Sequence, residues 1–356
     1  MYFSFHWKKQ DNMSKFKIGI VGATGYTGSE LVRILYNHPE VEIVAITSET
    51  YQGKLFSDVH SQFQDIFEPE LISVKDLPED LDVVFLALPH GVSMDFIAEH
   101  SDASYKIIDL SGDFRLSGKS VYETWYKKDH KYEAGFSKAV FGLPELYREK
   151  IKTAGLIANP GCFPTSATLA LAPLLKEGLV DNDHIIVDSK TGVTGAGIKP
   201  KENTHFPVVN DNFIAYGIKT HRHTIEIQET LSEFSGADCT VLFTPHLLPV
   251  DRGILSTCYT KPKNSVSEKE IKALFEGFYK DEYFVRVTED VPHLKRVRGT
   301  NYCDVYAAYD DRTNTIISIG VIDNLVKGAA GQAIQNMNLI LGLDEKEGLE
   351  IIPIQP

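Results

Sequence analysis

Cysteine, basic side chains and long apolar runs are all scarce in this chain of 356 residues. Only four cysteines are present and no two have Cys-x-x-Cys spacing, so we expect no zinc ribbon and no thioredoxin-type pair, and we assign no metal site. Four scattered thiols suit a reducing compartment, which makes the cytoplasm the expected location. No apolar run reaches the roughly 18 to 20 residues that a membrane span needs.

The small number of basic residues bears on possible partners. Asp and Glu number 49 against 36 Lys and Arg, which gives a formal charge of −13. Such a surface repels phosphate backbones and anionic lipids, so we expect no nucleic acid and no membrane as partner. Residues 1–13 are interpreted as an N-terminal extension, because Met13 offers a second start and the segment lacks the features of a signal peptide.

The first half of the chain has the pattern of an α/β domain. Apolar runs at 17–22, 42–48, 82–88 and 106–111 have consecutive apolar residues, as expected of strands that are buried on both faces of a parallel sheet. Helical patterns follow the first and third runs. This alternation predicts a doubly wound, Rossmann-type parallel sheet.

The pattern changes after residue 160. A long apolar helix comes first, and residues 327–341 are again helical. Strand-like runs occur at 184–190, 240–246, 253–260, 284–289, 302–309 and 315–322. We therefore predict a second, α+β domain with a mixed or antiparallel sheet, in which residues 310–314 form a hairpin turn.

A glycine-rich loop joins the first strand to the first helix. Glycines there permit a tight turn and a close approach of the backbone to a pyrophosphate, and the helix N-terminus favours the anion. The loop predicts a dinucleotide site, with a strand-to-helix turn that binds no ligand as the alternative. Its candidate ligands are Gly22, Thr24, Gly25, Tyr26, Thr27 and Gly28.

The end of the second strand bears on the choice between NAD and NADP. Hydroxyl groups such as that of Ser48 suit a 2′-phosphate, whereas the neighbouring Glu49 would suit a free ribose hydroxyl. The residues alone favour NADP only slightly.

Cys162 is the candidate nucleophile. It follows Pro160-Gly161 and precedes an apolar helix that Thr165 or Ser166 could cap, so we expect the helix dipole to favour its thiolate. The other three cysteines are expected inside apolar strands, as inert core residues. The alternative for Cys162 is a small buried hydrophobic residue.

Two histidines are candidates for the acid or base that a cysteine nucleophile requires. His221 and His223 precede a helix that Thr224 could cap, and a position near a helix N-terminus favours neutral imidazole. The sequence does not distinguish which of them acts, and a pair of surface histidines is the alternative. A thiol, an imidazole and a nicotinamide cofactor together indicate an aldehyde dehydrogenase or an acyl-phosphate reductase.

A phosphate leaving group would need hydrogen-bond donors near Cys162. The loop at 189–200 offers Ser189, Gly192 and Lys199 and could form an anion-binding nest, although a flexible connector fits it equally well.

Taken together, these motifs resemble the N-acetyl-gamma-glutamyl-phosphate reductase family, which is related to the aspartate-semialdehyde dehydrogenases. The similarity extends from about residue 15 to 343. It is carried by GIVGATGYTGSEL, LALPHG, DLSGDFRL, FGLPEL, NPGCFPT, GVTGAG, HRHTIEI, TPHLLPVDRG and DNLVKGAAGQAIQNMN. The chain departs from the family pattern at Phe163, Ile225 and Glu49, where Tyr, Pro and a basic residue are common.

The resemblance implies NADPH-dependent reduction of N-acetylglutamyl phosphate through a thioester on Cys162, with release of phosphate. It also implies that the C-terminal helix returns to the nucleotide domain, giving 14–160 with 327–356 as the NADP domain and 161–326 as the catalytic and association domain of a homo-oligomer, dimer or tetramer. The further cofactor ligands it implies are Pro89, His90, Gly91, Asn324 and Gly328. For the substrate carboxylate, the candidates are Arg115, Arg222 and Arg252, since Arg binds carboxylate in a bidentate way.

Three alternatives remain at this point. The first is a sister reductase of aspartyl phosphate or an aminoadipate-type substrate. The second is a short-chain dehydrogenase, but its Tyr-x-x-x-Lys spacing occurs only at Tyr259 and Lys263, where Pro262 breaks any helix. The third is an NADP-binding redox sensor that would tolerate loss of the thiol.

Overall fold

The computed structural model describes residues 15–355, and the predicted extension at 1–13 lies outside them. The strands are β1 (Phe16–Val21), β2 (Val41–Thr47), β3 (Val83–Leu86), β4 (Lys106–Asp109), β5 (Ala139–Phe141), β6 (Leu156–Ala158), β7 (Ile185–Thr191), β8 (Ile214–Ala215), β9 (Val241–Leu247), β10 (Ile254–Thr260), β11 (Val285–Val287), β12 (Cys303–Asp310) and β13 (Thr315–Ile322). The helices are α1 (Tyr26–Leu35), α2 (Phe56–Val59), α3 (Ser93–Glu99), α4 (Lys119–Tyr126), α5 (Pro144–Ile151), α6 (Cys162–Lys176), α7 (Phe206–Val209), α8 (His223–Ser235), α9 (Glu268–Tyr279) and α10 (Gly331–Leu341).

The first sheet is parallel, with strand order β2-β1-β3-β4-β6-β5. All four residues of β3 are buried, in agreement with the continuous apolar run. The sequence did not reveal β5 and β6, which are only three residues long. The strand order reverses at β1, and ligands of doubly wound sheets bind at the crevice that such a reversal opens.

The second sheet is mixed, as predicted, with order β11-β12-β13-β10-β7-β9-β8. Strands β12 and β13 form the expected antiparallel hairpin. Helix α6 packs on β10 and β13 and is buried over nearly its whole length. It begins at Cys162 rather than near Thr165, because Pro164 is tolerated in a first helical turn, so the predicted cap by Thr165 or Ser166 is wrong.

The chain crosses back to the first sheet near its C-terminus. After β13 it forms a π-helical turn at Val326–Ala330 and then α10, which packs on α1, α5 and β4. The segment before α6 makes the opposite crossing, so the two sheets are joined close to Cys162. Between residues 15 and 355, no helix is long and apolar enough to cross a membrane.

Candidate active site

A cleft of about 1880 Å³ lies between the two sheets. Pockets for a single small ligand usually measure about 300 to 1,000 Å³, so this one has room for a dinucleotide and a second molecule. Most of the predicted site residues line it: Gly22, Thr24, Gly25, Tyr26, Thr27, Gly28, Ser48, Pro89, His90, Arg115, Cys162, Gly192, Lys199, His221, Arg222, His223, Asn324 and Gly328.

The glycine-rich loop has the geometry that a dinucleotide requires. Gly22 has φ +84°, and a Cβ there would lie 2.6 Å from the carbonyl oxygen of Ala87. A Cβ on Gly28 would lie 2.5 Å from the Gly22 oxygen, because the first turn of α1 packs closely on the start of the loop. A Cβ on Gly25 would meet only one atom, at 4.0 Å, and would project into open space along the cleft. The loop therefore fits a pyrophosphate that approaches its backbone.

The carboxylate of Glu49 accepts hydrogen bonds from a neighbouring turn. Its Oε1 accepts hydrogen bonds from the amide of Val74 at 2.7 Å and from the Ser73 hydroxyl at 3.2 Å. Ser48 is close by, with its Oγ 3.1 Å from Oγ1 of Thr24. Glu49, which suits NAD, thus has a structural role, and both Glu49 and Ser48, whose hydroxyl suits NADP, line the cleft.

Cys162 is the first residue of α6, directly beside the C-terminal crossing. A Cβ on Gly328 would lie 2.8 Å from the Cβ of Cys162. Burial raises the pKa of Cys162 to about 11, although Arg115 and the amide of Phe163 act in the opposite direction. The expectation of a thiolate favoured by the helix start is therefore wrong for the free protein, because desolvation outweighs the dipole.

The two histidines are neutral. Burial lowers the pKa of His221 to about 4, and burial, with His221 and Arg115 nearby, lowers the pKa of His223 well below its ordinary value. The amide of His223 donates to Nδ1 of His221 at 3.2 Å, which leaves the His221 proton on Nε2. Helix α8 begins at His223, and Arg222 occupies its N-cap position. The predicted cap by Thr224 is therefore wrong.

Sequence reasoning missed Glu226, which is fully buried below the histidines. Its Oε1 accepts from the amide of Gly161 at 2.6 Å, and its Oε2 lies 3.4 Å from Nη1 of Arg115 and 4.0 Å from Nε2 of His223. Burial raises the pKa of Glu226, whereas Arg115 and the Gly161 amide oppose that rise. The signal that could have revealed it is its place one helical turn after His223.

Three predicted ligands do not face the cleft. Ser189 is buried under α6, where its hydroxyl bonds to that of Ser256 at 2.7 Å. Arg252 forms two hydrogen bonds with Glu30 on α1, at 2.8 and 2.9 Å, so it joins the two halves of the protein. Gly91 supplies a turn with φ +82°. These side chains or backbone groups are already used by the fold, which corrects their assignment as ligands.

The positions of Cys239 and Arg115 differ in part from those predicted. Cys239 is buried, but it lies in the loop before β9 and not inside a strand. Arg115 lies at the cleft, yet it is paired with Glu226 and donates to the carbonyl of Leu110 at 2.8 Å, while its buried Nε has no partner.

Known families match both parts of the chain. The family described as "Semialdehyde dehydrogenase, NAD binding domain" matches residues 17–154, and "Semialdehyde dehydrogenase, dimerisation domain" matches residues 162–324. N-acetyl-gamma-glutamyl-phosphate reductase of Methanosphaera stadtmanae is 50% identical over 351 residues, which cover 97% of this chain and 100% of the relative. The protein of the same name from Pelotomaculum thermopropionicum is 49% identical over 337 residues, which cover 94% of this chain and 97% of the relative.

The chain belongs to the N-acetyl-gamma-glutamyl-phosphate reductase family. The predicted family, enzyme class and nicotinamide cofactor are thereby confirmed, and the short-chain dehydrogenase alternative is set aside.

Solved structures support the fold of this reductase family member. Aspartate semialdehyde dehydrogenase II of Vibrio cholerae, complexed with ASA, has a TM-score of 0.72 at 17% identity and covers 93% of this chain and 99% of its own. The Candida albicans aspartate semialdehyde dehydrogenase with NADP has a TM-score of 0.70 at 19% identity, with 92% and 99% covered. At such identities the likeness confirms the predicted two-domain architecture and nothing further.

Proposed function

We propose that this protein reduces N-acetyl-L-glutamyl 5-phosphate to N-acetyl-L-glutamate 5-semialdehyde, with NADPH as reductant and release of phosphate, in arginine biosynthesis. The observation that carries the proposal is the position of Cys162. Its thiol begins α6 at the wall of the cleft that the glycine-rich loop also lines, next to two neutral histidines.

The reaction starts at the sulfur. Because the free thiol is protonated at neutral pH, attack on the acyl carbon requires transfer of its proton to an imidazole, and the neutral imidazole of His223 is able to accept it. The S–C bond forms as the C–O bond to phosphate breaks, which leaves a thioester. The amides at the start of α6 are placed to stabilise the oxyanion.

The reduced nicotinamide nucleotide, when bound, supplies a hydride to the thioester carbon. The C–S bond then breaks and the imidazole returns the proton to sulfur, so the thiol is regenerated and the aldehyde is released. We assign the hydrogen-bond donor toward the carbonyl oxygen to His221, since its proton is on Nε2. His223, which packs against Gly161, is assigned the role of base.

The ligand-binding residues remain part of this proposal. Gly192 and Lys199 would contact the phosphate, and Arg222 the substrate carboxylate, while Arg115 acts mainly through Glu226. The cofactor would be held by Gly22, Thr24, Gly25, Tyr26, Thr27, Gly28, Ser48, Pro89, His90, Asn324 and Gly328.

We further propose that residues 14–160 with 327–356 act as the nucleotide domain and 161–326 as the catalytic domain, in a cytoplasmic homodimer or homotetramer. The outer face of the second sheet supports association, because Ile186 and Leu242 are exposed on adjacent strands there. The matching family described as a dimerisation domain covers the same sheet. Sedimentation of the purified protein gives the number of subunits, and a monomer at micromolar concentration would contradict this part.

The decisive assay is phosphate-dependent reduction of NADP with each candidate semialdehyde. We expect N-acetylglutamate semialdehyde to be preferred, and preference for aspartate semialdehyde would overturn the substrate assignment. In Cys162→Ala, turnover should fall by at least about 10⁴-fold, since the nucleophile is lost. NADP binding should stay within about twofold, because the loop makes no use of the thiol. Turnover that survives in this variant would favour the redox sensor.

A further inference from the structure

A buried ion pair lies behind the cleft, where no substrate reaches it. Lys327 belongs to the π-helical turn at Val326–Ala330, and its Nζ lies 2.6 Å from Oε1 of Glu145 on α5. Both side chains are 0% exposed. Since burying two charges costs more than burying an apolar pair of the same size, the pair is weak support for stability and calls for another explanation.

The other side of the same turn meets the thiol. Gly328 and Ala329 line the cleft, whereas Lys327 does not. Gly328 packs so closely on Cys162 that a Cβ there would lie 2.8 Å from the cysteine Cβ. Widened π turns are rare and are frequently found at functional sites. The position of this turn therefore decides how the thiol is packed.

Glu145 is connected to the same thiol from the opposite direction. Helix α5 leads through β6 into the loop 159–161, which ends at Cys162. Within that loop, Nδ2 of Asn159 donates to the carbonyl of Ala329 at 3.2 Å, so the loop and the turn also touch directly. The ion pair thus closes a ring of contacts around Cys162 from two chain segments that lie 182 residues apart.

We propose that the Lys327–Glu145 pair is a positioning device that fixes the π turn against the cysteine loop and thereby orients the Cys162 thiol. Neither residue touches substrate or cofactor. The proposal rests on the proposed function only in that Cys162 is the nucleophile.

The test removes both charges and keeps the volume, in Lys327→Met/Glu145→Leu. The neighbouring amide of Gln335 stays paired, because its Oε1 still accepts from Asn301 at 2.8 Å and its Nε2 still donates to Glu345 at 2.6 Å. No buried polar group loses its last partner through this change. We therefore expect a melting temperature at or above that of the unaltered protein.

Activity and thiol chemistry should change although stability does not. We expect kcat to fall at least about tenfold, with KM for the semialdehyde within about threefold, as misplacement of a reacting group predicts. The rate of Cys162 alkylation by iodoacetamide should change at least about fivefold. Unaltered kcat together with an unaltered alkylation rate in the folded double variant would overturn the proposal.

A matched control is the exposed pair of Lys272 and Glu289, whose atoms also lie 2.6 Å apart. Lys272→Met/Glu289→Leu should leave kcat and alkylation unchanged. Should the buried double variant not fold, Glu145→Asp keeps both charges and withdraws the carboxylate by one methylene, and it should lower kcat at least about threefold at constant KM. Full kcat in Glu145→Asp would then refute the proposal.

The alkylation rate does not depend on any substrate. A native protein that fails to reduce NADP with any semialdehyde would refute the proposed function, while the comparison of alkylation rates would still decide whether the pair positions the thiol.

Discussion

The two walls of the cleft are built in different ways. The nucleotide wall consists mainly of backbone, because Gly22, Gly25 and Gly28 bring no side chain into the cleft. The opposite wall consists of partly or fully buried side chains, among them Cys162 and His223 with Glu226 behind them, whose charges are suppressed or balanced by burial and by close neighbours. A backbone site tolerates changes in charge but not in volume, whereas a buried side-chain site responds strongly to both.

Among the effects that compare the two walls, the largest is expected for the pH dependence of Cys162 reactivity, which reports on the side-chain wall. Because burial raises its pKa to about 11, only the small thiolate fraction reacts, and that fraction grows tenfold per pH unit below the pKa. Alkylation by iodoacetamide should therefore accelerate about 10³-fold between pH 7 and 10. Labelling of Cys162→Ala identifies the contribution of the other thiols. If the alkylation rate instead reaches a plateau already near pH 7, the sulfur is a thiolate paired with an imidazolium.

Changes in volume test the backbone wall. Gly25→Ala adds a Cβ into open space in the cleft, so the protein should fold normally and bind NADP at least about tenfold more weakly, as measured by fluorescence titration. Gly28→Ala is the matched comparison, because its Cβ would meet backbone atoms at 2.5 and 2.6 Å and should lower the melting temperature as well. Equal NADP affinity in Gly25→Ala would mean that the pyrophosphate does not approach the loop.

A change of charge on the same wall should have a smaller effect. Glu49→Gln keeps an oxygen for the Val74 amide and removes a negative charge beside Ser48. Affinity for NADP should rise about three- to tenfold, as expected for one less repulsive charge near a 2′-phosphate, while affinity for NAD stays constant. Loss of NAD affinity would show that Glu49 binds the ribose hydroxyl directly. Calorimetry with each nucleotide distinguishes these results.

The smallest effect on catalysis is expected where the two walls are joined. Arg252→Met should leave KM for the semialdehyde within about twofold and lower the free energy of unfolding by about 2 kcal/mol, since Glu30 stays buried with only Arg33 as partner. Arg298→Met is the control, because its pair with Asp251 is more exposed and should contribute at most about 1 kcal/mol. A large rise in KM in Arg252→Met would restore Arg252 as a substrate ligand.

The same junction should be sensitive to acid. Burial alone would raise the pKa of Glu30, but hydrogen bonds and charge from Arg252 and Arg33 lower that pKa to about 2. A lowered carboxyl pKa stabilises the fold above the ordinary value of 4.5, and this contribution is lost as the pH falls from there towards 2. Urea unfolding at pH 7 and pH 3 should therefore give a smaller loss of stability in Glu30→Gln than in the unaltered protein.

The sequence predicted what is local. The glycine-rich loop and the Pro-Gly-Cys segment are contiguous, and their chemistry follows from residues within a few positions of one another. The family resemblance extended this to the C-terminal crossing at Asn324 and Gly328, which do line the cleft.

What the sequence did not show depends on packing between distant segments. Glu226 resembles any acidic residue of an amphipathic helix until Gly161 and Arg115 are placed beside it. The guanidinium of Arg252 could bind a substrate carboxylate. Only the fold shows that it is already paired with the carboxylate of Glu30. The protonated state of Cys162 was missed for the same reason, because the helix start is visible in the sequence and the extent of burial is not.

Helix α6 carries Cys162 at its tip and spans the hydrophobic interior with the rest of its length. The reactive end therefore cannot fray independently of the core, unlike an active-site residue that sits on a mobile surface loop. On heating, loss of activity and loss of the folded state should consequently coincide, and improvements to the packing under α6 should extend the working temperature range of the protein.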